Sequence, residues 1–276
     1  IGLDGPALPG RTPHLTIAKP TPTAAGMLLE VRPASPLDND AAGCVRAGHS
    51  CYPAHAFTLE QIRRHEVYLA GEGKYYGTRL YVSFGKPLYM RVNDDATGYV
   101  QPDTSNPNDP NYATPYDWFE FTYDPVATPV VAFGGNTTQV DQFSIPLSFT
   151  VEGVKGTTAT RGVTLGPTSP SGAASRDALV DLYMATVDAP FQAAAQKDAA
   201  GRVLRLMPPV RVGAFASGGS AADYFAGYIG QVWEQYKQDP SLLDITDQPD
   251  DAQGRRRGNR YQGCAFDGDS LCFRVN

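Results

Sequence analysis

The segment Asp117-Trp118-Phe119-Glu120-Phe121-Thr122-Tyr123 constrains the fold most. Trp118, Glu120, Thr122 and Asp124 alternate with Phe119, Phe121 and Tyr123, and a strand puts these two sets on opposite faces. The Phe/Phe/Tyr face belongs in a core. The Trp/Glu/Thr/Asp face is left for water or a ligand. A few residues on, Asn136-Thr137-Thr138-Gln139-Val140-Asp141-Gln142-Phe143 carries a second acid, Asp141, on another strand-like stretch. One turn-rich loop could set Glu120 and Asp141 side by side. An indole beside paired acids and short polar groups suits a sugar, with the ring stacking on the pyranose and the polar groups reaching its hydroxyls.

The rest of the chain reads as β-rich α+β. Arg79–Phe84 alternates, and Leu88, Met90 and Val92 continue the pattern; further strands are expected over 118–124, 129–133, 138–151 and 160–165. Thr58-Leu59-Glu60-Gln61 reads as a capping box opening a helix over 59–70. Residues 1–40 are rich in proline, and only Leu28–Val31 resembles a strand there. The run Gly166–Gly172 predicts a domain boundary, giving a β domain over 1–166 and a mixed α/β domain over 167–276. Beyond it the period turns helical. Ser175 can cap one helix that bends or ends near Pro190, and Ser220–Asp223 can cap another. The latter carries Tyr224, Phe225, Tyr228, Ile229, Val232, Trp233 and Tyr236 as an apolar stripe expected to be mainly core. The polar loop 101–115 is unusually long for a compact domain unless it has a task.

At 276 residues with 42% hydrophobic and 19% charged side chains, the chain is long enough to bury a substantial core. Its net charge of -6 argues against a nucleic-acid groove, which needs clustered cations. The one basic run, Arg255–Arg257, sits between glycines and reads as a solvated turn. No apolar run approaches the length of a membrane helix. The absence of an initiator Met and of a signal pattern suggests a processed, secreted chain. Cysteines fall in two close pairs, Cys44/Cys51 and Cys264/Cys272, for which two local bridges are the favoured of three pairings. Zinc is disfavoured by the lack of CxxC spacing, and no metal or cofactor is expected. The four histidines have no nucleophile partner, and no G-x-S-x-G elbow is present.

Several ordered motifs together resemble glycoside hydrolase family 64, the thaumatin-like β-1,3-glucanases that release laminaripentaose. They are Arg79–Gly85, Gly98–Asp103, Asn106–Asn111, Asp117–Tyr123, Thr138–Phe143, Ser175–Leu179 and Asp223–Trp233, spanning about residues 79–237. The resemblance implies a thaumatin-like β-barrel or sandwich domain and a mixed α/β domain flanking a wide groove, a β-1,3-glucan substrate, and inversion at the anomeric carbon. By motif Glu120 is the general acid and Asp141 the general base. Asp109, Thr122 and Thr138 match positions that contact sugar or support the acids, and Trp118, Asp124, Asn136 and Gln139 join them in the expected binding set. Phe133 stands where a Trp is expected, keeping a stacking face without the indole N–H. From the residues alone, Glu120 lies among Trp118, Phe119 and Phe121, where desolvation would favour its protonated form; the polar neighbours of Asp141 would keep it ionised. A monomer is expected. The alternatives are a glucan-binding thaumatin-like module without turnover and a structural or defence-type extracellular protein.

Overall fold

Alternation over the aromatic segment is realised as the strand Tyr116–Asp124, which lies between two antiparallel neighbours in a seven-stranded sheet. The computed structural model describes residues 2–3, 16–22, 27–33, 36–40, 42–62, 66–69, 75–94, 99–124, 132–137, 139–147, 149–155, 158–165, 176–239, 244–246, 260–267 and 270–275. In chain order the strands through the site are β1 (Gly2–Leu3), β2 (Thr16–Pro22), β3 (Met27–Pro33), β4 (Val45–Ala47), β5 (Ser50–Tyr52), β6 (Val67–Leu69), β7 (Tyr75–Ser83), β8 (Arg91–Val92), β9 (Tyr99–Val100), β10 (Tyr116–Asp124) and β11 (Ala132–Asn136). The large sheet has the order β11-β10-β7-β1-β2-β3-β6. All its pairings are antiparallel except β3 with β6. β11 and β6 are its edges, so the described strands form an open sheet and not a closed barrel.

The proline-rich start supplies three strands where the sequence suggested one. Pro20 and Pro22 are tolerated in β2 because β1 pairs it only at Ile17. Among the described residues β2 pairs beyond Ile17 with β3 alone, and a missing N–H on the other side breaks none of their ladders. The expected helix over 59–70 is a single 3-10 turn, Leu59–Gln61, with the Thr58/Gln61 capping box formed, and β6 follows at Val67. The cap was legible, but no apolar stripe follows it to hold a helix against the core.

Hairpin β12 (Phe149–Lys155) and β13 (Thr158–Leu165) comes next, then α1 (Arg176–Thr186), α2 (Ala189–Gln192), and the pair β14 (Ala195–Lys197) and β15 (Val203–Leu206). The stretch after α1 packs onto the first half of the chain. Phe143 and Leu206 exchange backbone hydrogen bonds at 2.9 and 2.8 Å. Arg176 donates to the carbonyls of Ser144 at 2.6 Å and Leu204 at 2.8 Å, and to that of Val203. The fully buried Arg205 donates to the carbonyls of Tyr112 at 3.1 Å and Thr114 at 2.8 Å and lies over the Tyr116 ring. Accordingly the chain forms two units, Ile1–Pro208 and Pro209–Asn276. The expected boundary at 166–172 lies outside the described residues.

The second unit holds α3 (Ala226–Gln238) and an antiparallel sheet of β16 (Asp244–Thr246), β17 (Arg260–Asp267) and β18 (Ser270–Val275). Its helix corrects two expectations. The cap is Phe225 and not Ser220, because Ser220–Phe225 runs as turns. The aromatic stripe is not core either: Tyr228 is 70% and Ile229 58% exposed, and α3 buries no residue. Helical spacing reveals a face, not what covers it. Of the expected bridges, Cys44–Cys51 is formed: Cys44, just before β4, reaches Cys51 of β5, which itself lies opposite Arg46, at a Cα separation of 5.7 Å. The side chains of Cys264 and Cys272 lie outside the described residues. Among the described residues no helix is long and apolar enough to cross a membrane.

Candidate active site

Register between three strands builds the site. In β10, Glu120 lies directly opposite Arg79 of β7 on one side and Asn136 of β11 on the other. Trp118 is opposite Tyr81, and Thr122 is opposite Gly134. Directly opposed residues share a face of the sheet. One surface therefore carries Tyr81 and Arg79, then Tyr116, Trp118, Glu120 and Thr122, then Gly134 and Asn136. The other carries the aromatic stack of Phe119 and Phe121 at 5.2 Å and of Tyr75 and Tyr123 at 6.1 Å.

Phe119 and Phe121 thus point away from Glu120, which corrects the expectation that they desolvate it. The Glu120 side chain is 37% exposed and pairs with Arg79, whose Nε donates to Oε2 at 3.0 Å. The guanidinium also lies 5.2 Å from the centre of the Trp118 ring. Trp118 is half-buried, with Tyr81 at 5.5 Å and Tyr116 at 6.3 Å. Beside these groups, Glu120, Phe121, Thr122, Gly134, Gly135 and Asn136 line a depression of about 230 Å³. The Thr122 hydroxyl accepts from the Gly77 N–H at 3.2 Å, so its oxygen is already oriented.

Asp141 sits on an irregular loop, not on the strand expected over 138–151. That loop is fastened from beneath by a group the sequence reading missed. Asp117, on the far face of β10 and 1% exposed, accepts from the backbone N–H of Ser144 at 2.6 Å and of Ile145 at 2.8 Å. Gln139 Nε2 donates to the same carboxylate oxygen at 3.0 Å and to the Ile145 carbonyl at 2.7 Å. The buried Gln142 amide donates to the Tyr116 carbonyl at 2.6 Å. Burial pushes the Asp117 carboxyl up to about 6, while the amides of Ile145 and Ser144 pull the other way. The loop bearing Asp141 is consequently tied to the strand bearing Glu120 by bonds on both sides of the half-exposed Asp141.

Of the expected binding residues, Trp118, Thr122 and Asn136 share the face of Glu120. Phe133 does not: it opposes Tyr123, stacks on Phe121 at 6.0 Å, and is 43% exposed on the aromatic side. Gln139 adopts a φ of 52°, rare for a residue with a side chain, and its amide nitrogen serves the loop itself. Asp109 is likewise used internally, accepting from the N–H of Asn111 at 2.7 Å and of Asp103 at 2.9 Å. The 101–115 loop is a series of such turns, locked by the buried Asn111 against both backbone groups of Tyr89. Asp124 pairs with Ala132 through its backbone; its side chain, and all of Thr138, lie outside the described residues. No group of three or more metal-ligating side chains occurs among the described residues.

The sequence pattern of the glycoside hydrolase 64 β-1,3-glucanases matches residues 56–267. The chain belongs to this family. No curated protein matches the chain. Among solved structures, it is similar to a GH64 laminaripentaose-producing β-1,3-glucanase from Paenibacillus barengoltzii complexed with laminarihexaose. The identity is 28% and the TM-score 0.60, over 77% of this chain and 47% of that one. It is also similar to a GH64 β-1,3-glucanase domain from Clostridium beijerinckii, at 25% identity and a TM-score of 0.65, over 95% of this chain and 63% of that one. The chain thus spans roughly half to two thirds of the length of these relatives. Mostly β structure with few helices is common ground between the GH64 fold and this chain.

Proposed function

We propose that this chain hydrolyses β-1,3-glucan by inversion, with Glu120 as proton donor and Asp141 as the base that activates water. The observation that carries this reading is the setting of Glu120: fixed by Arg79 on the open face of the sheet, at the rim of a depression walled by Thr122, Gly134 and Asn136. Family membership and the laminarihexaose complex of the Paenibacillus relative support the substrate class. Inversion needs one carboxylic acid on the leaving-group side and one carboxylate far enough away to leave room for a water, about 6.5–9.5 Å. A short laminari-oligosaccharide product, secretion and a thaumatin-like β domain belong to the same proposal; the Cys44–Cys51 bridge favours an oxidising compartment. No charge steering is required for an uncharged polysaccharide, which suits an acidic protein.

Glu120→Gln tests the proposal, since it keeps the shape and removes the proton. Positioned acid catalysis accounts for about 10²–10⁴-fold in rate, so sugar release from laminarin should fall by that factor while oligosaccharide binding persists. Activity within a few-fold of wild type would remove Glu120 from the role. A wild-type protein that retains insoluble glucan and releases no sugar would move the reading to a binding module.

A further inference from the structure

We propose that Arg79 is the positioning residue of Glu120, holding Oε2 so that the transferable proton resides on Oε1. This rests on the hydrolytic reading above and deepens it. The guanidinium carries only donors. Its Nε–H is directed at Oε2, so a proton taken up by Glu120 goes to the oxygen that the guanidinium does not hold. The arrangement is set by backbone register and not by a loop: Arg79 and Glu120 are opposed Cα partners on adjacent strands inside the sheet. A second contact fixes the cation, because the guanidinium rests on the Trp118 ring, itself packed against Tyr81 and Tyr116. Arg205 lies over the far aromatic of this row, Tyr116, and ties it to the buried interior. The row Arg205–Tyr116–Trp118–Arg79 thus supports the carboxyl from the core outward.

The pair has a chemical use that stability does not explain. Half-exposed ion pairs contribute little to folding. In the reaction the Oε1–H proton passes to the glycosidic oxygen, the bond from that oxygen to the anomeric carbon breaks, and the leaving chain departs as an alcohol. Water gives its proton to Asp141 as its oxygen bonds to the anomeric carbon. Glu120 ends as a carboxylate, and the charge that grows on it meets a cation already in place. An interaction that strengthens as charge develops lowers the barrier without tightening ground-state binding.

The experiment measures kcat and KM for laminarin hydrolysis with Arg79→Met, Arg79→Lys, Glu120→Gln and the Glu120→Gln/Arg79→Met double variant, each checked for folding by circular dichroism. Arg79→Met should lose about 10- to 100-fold in kcat with KM within about threefold of wild type. Arg79→Lys, which restores charge without the planar fork, should recover part of that loss. Because Arg79 acts through the carboxyl, the double variant should be no slower than Glu120→Gln alone. The inference is overturned if Arg79→Met keeps its kcat, if the loss falls on KM alone, if Arg79→Lys does no better than Arg79→Met, or if the two losses multiply. Should Arg79→Met not fold, Arg79→Gln takes its place under the same criteria. Glu120→Gln near wild-type rate would instead remove the underlying reading, whereas an inactive Glu120→Gln beside an unimpaired Arg79→Met removes only this inference.

Discussion

Two adjacent glycines in β11 make opposite predictions, and together they test whether the depression beside Glu120 receives substrate. Gly134 lies on the Glu120 face, opposite Thr122, and a Cβ built there meets nothing within 4 Å. Gly135 lies on the other face, and its Cβ would sit 2.9 Å from the Glu120 carbonyl oxygen and 3.2 Å from the Phe121 Cβ. Gly134→Ala therefore adds a methyl to open space. Glycine inside a strand costs about 0.5–1 kcal/mol relative to alanine, so Gly134→Ala should stabilise the protein by that amount. The corresponding rise in Tm is about 1–4 °C. If a glucosyl unit occupies the depression, the same methyl overpacks the complex at a cost of about 1–3 kcal/mol. At 1.36 kcal/mol per decade that lowers kcat/KM about 5- to 150-fold.

Gly135→Ala should behave differently. Its methyl collides with the backbone of β10, so Tm falls and activity is lost with the fold. Thermal unfolding and the rate of reducing-sugar release from laminarin, with calorimetric Kd for laminarihexaose, read both effects on the same preparations. The result that refutes the reasoning is a Gly134→Ala protein with wild-type kcat/KM and Kd, for then the depression is not a sugar site. A lowered Tm for Gly134→Ala would refute the geometry itself.

Two other expectations concern charge and surface. Asp117 has a folded-state value of about 6 against an ordinary 3.8, so its contribution to stability is fully present below about pH 4 and is lost as pH rises through about 6. Urea unfolding of wild type and Asp117→Asn at pH 4 to 7 should show wild type losing on the order of 3 kcal/mol relative to the variant across that window; a pH-independent difference would contradict it. Asn136-Thr137-Thr138 is a glycosylation sequon, yet Asn136 opposes Glu120 and lines the depression. Protein from a glycosylating host should show Asn136 unmodified by mass spectrometry, and an active enzyme fully glycosylated there would displace the site from this face.

How much of this was legible beforehand differs by residue, for a physical reason. Period-two alternation identified β10, its aromatic face and the exposed side of Glu120, because side-chain direction along a strand depends only on local sequence. Which residue stands across from Glu120 depends on register, and register is settled by every pairing in the sheet at once. Arg79 was therefore visible as part of a motif but not as the partner of the acid, and Gly134 not at all. The one local clue that went unused was Asp117, a carboxylate in phase with Phe119, Phe121 and Tyr123. An acid on an apolar face must find donors there, and its donors turned out to be the amides that shape the Asp141 loop.

That loop also shows why Asp141 stands out in the sequence while its backbone conformation does not. Val140–Phe143 has strand-like composition, but the Gln139 side chain and the Ser144 and Ile145 amides bind Asp117 and leave no regular ladder for the segment to join. Pairing there shrinks to the single bridge of Phe143 with Leu206, and the chain gains a fixed bend with Gln139 in the left-handed region at its start. The two acids are in this way assigned unequal supports. Glu120 is held by sheet register and a cation beside it; Asp141 rides on a bend whose anchor is a buried, titratable carboxyl. Loss of the Asp117 contacts should therefore displace Asp141 before it displaces Glu120.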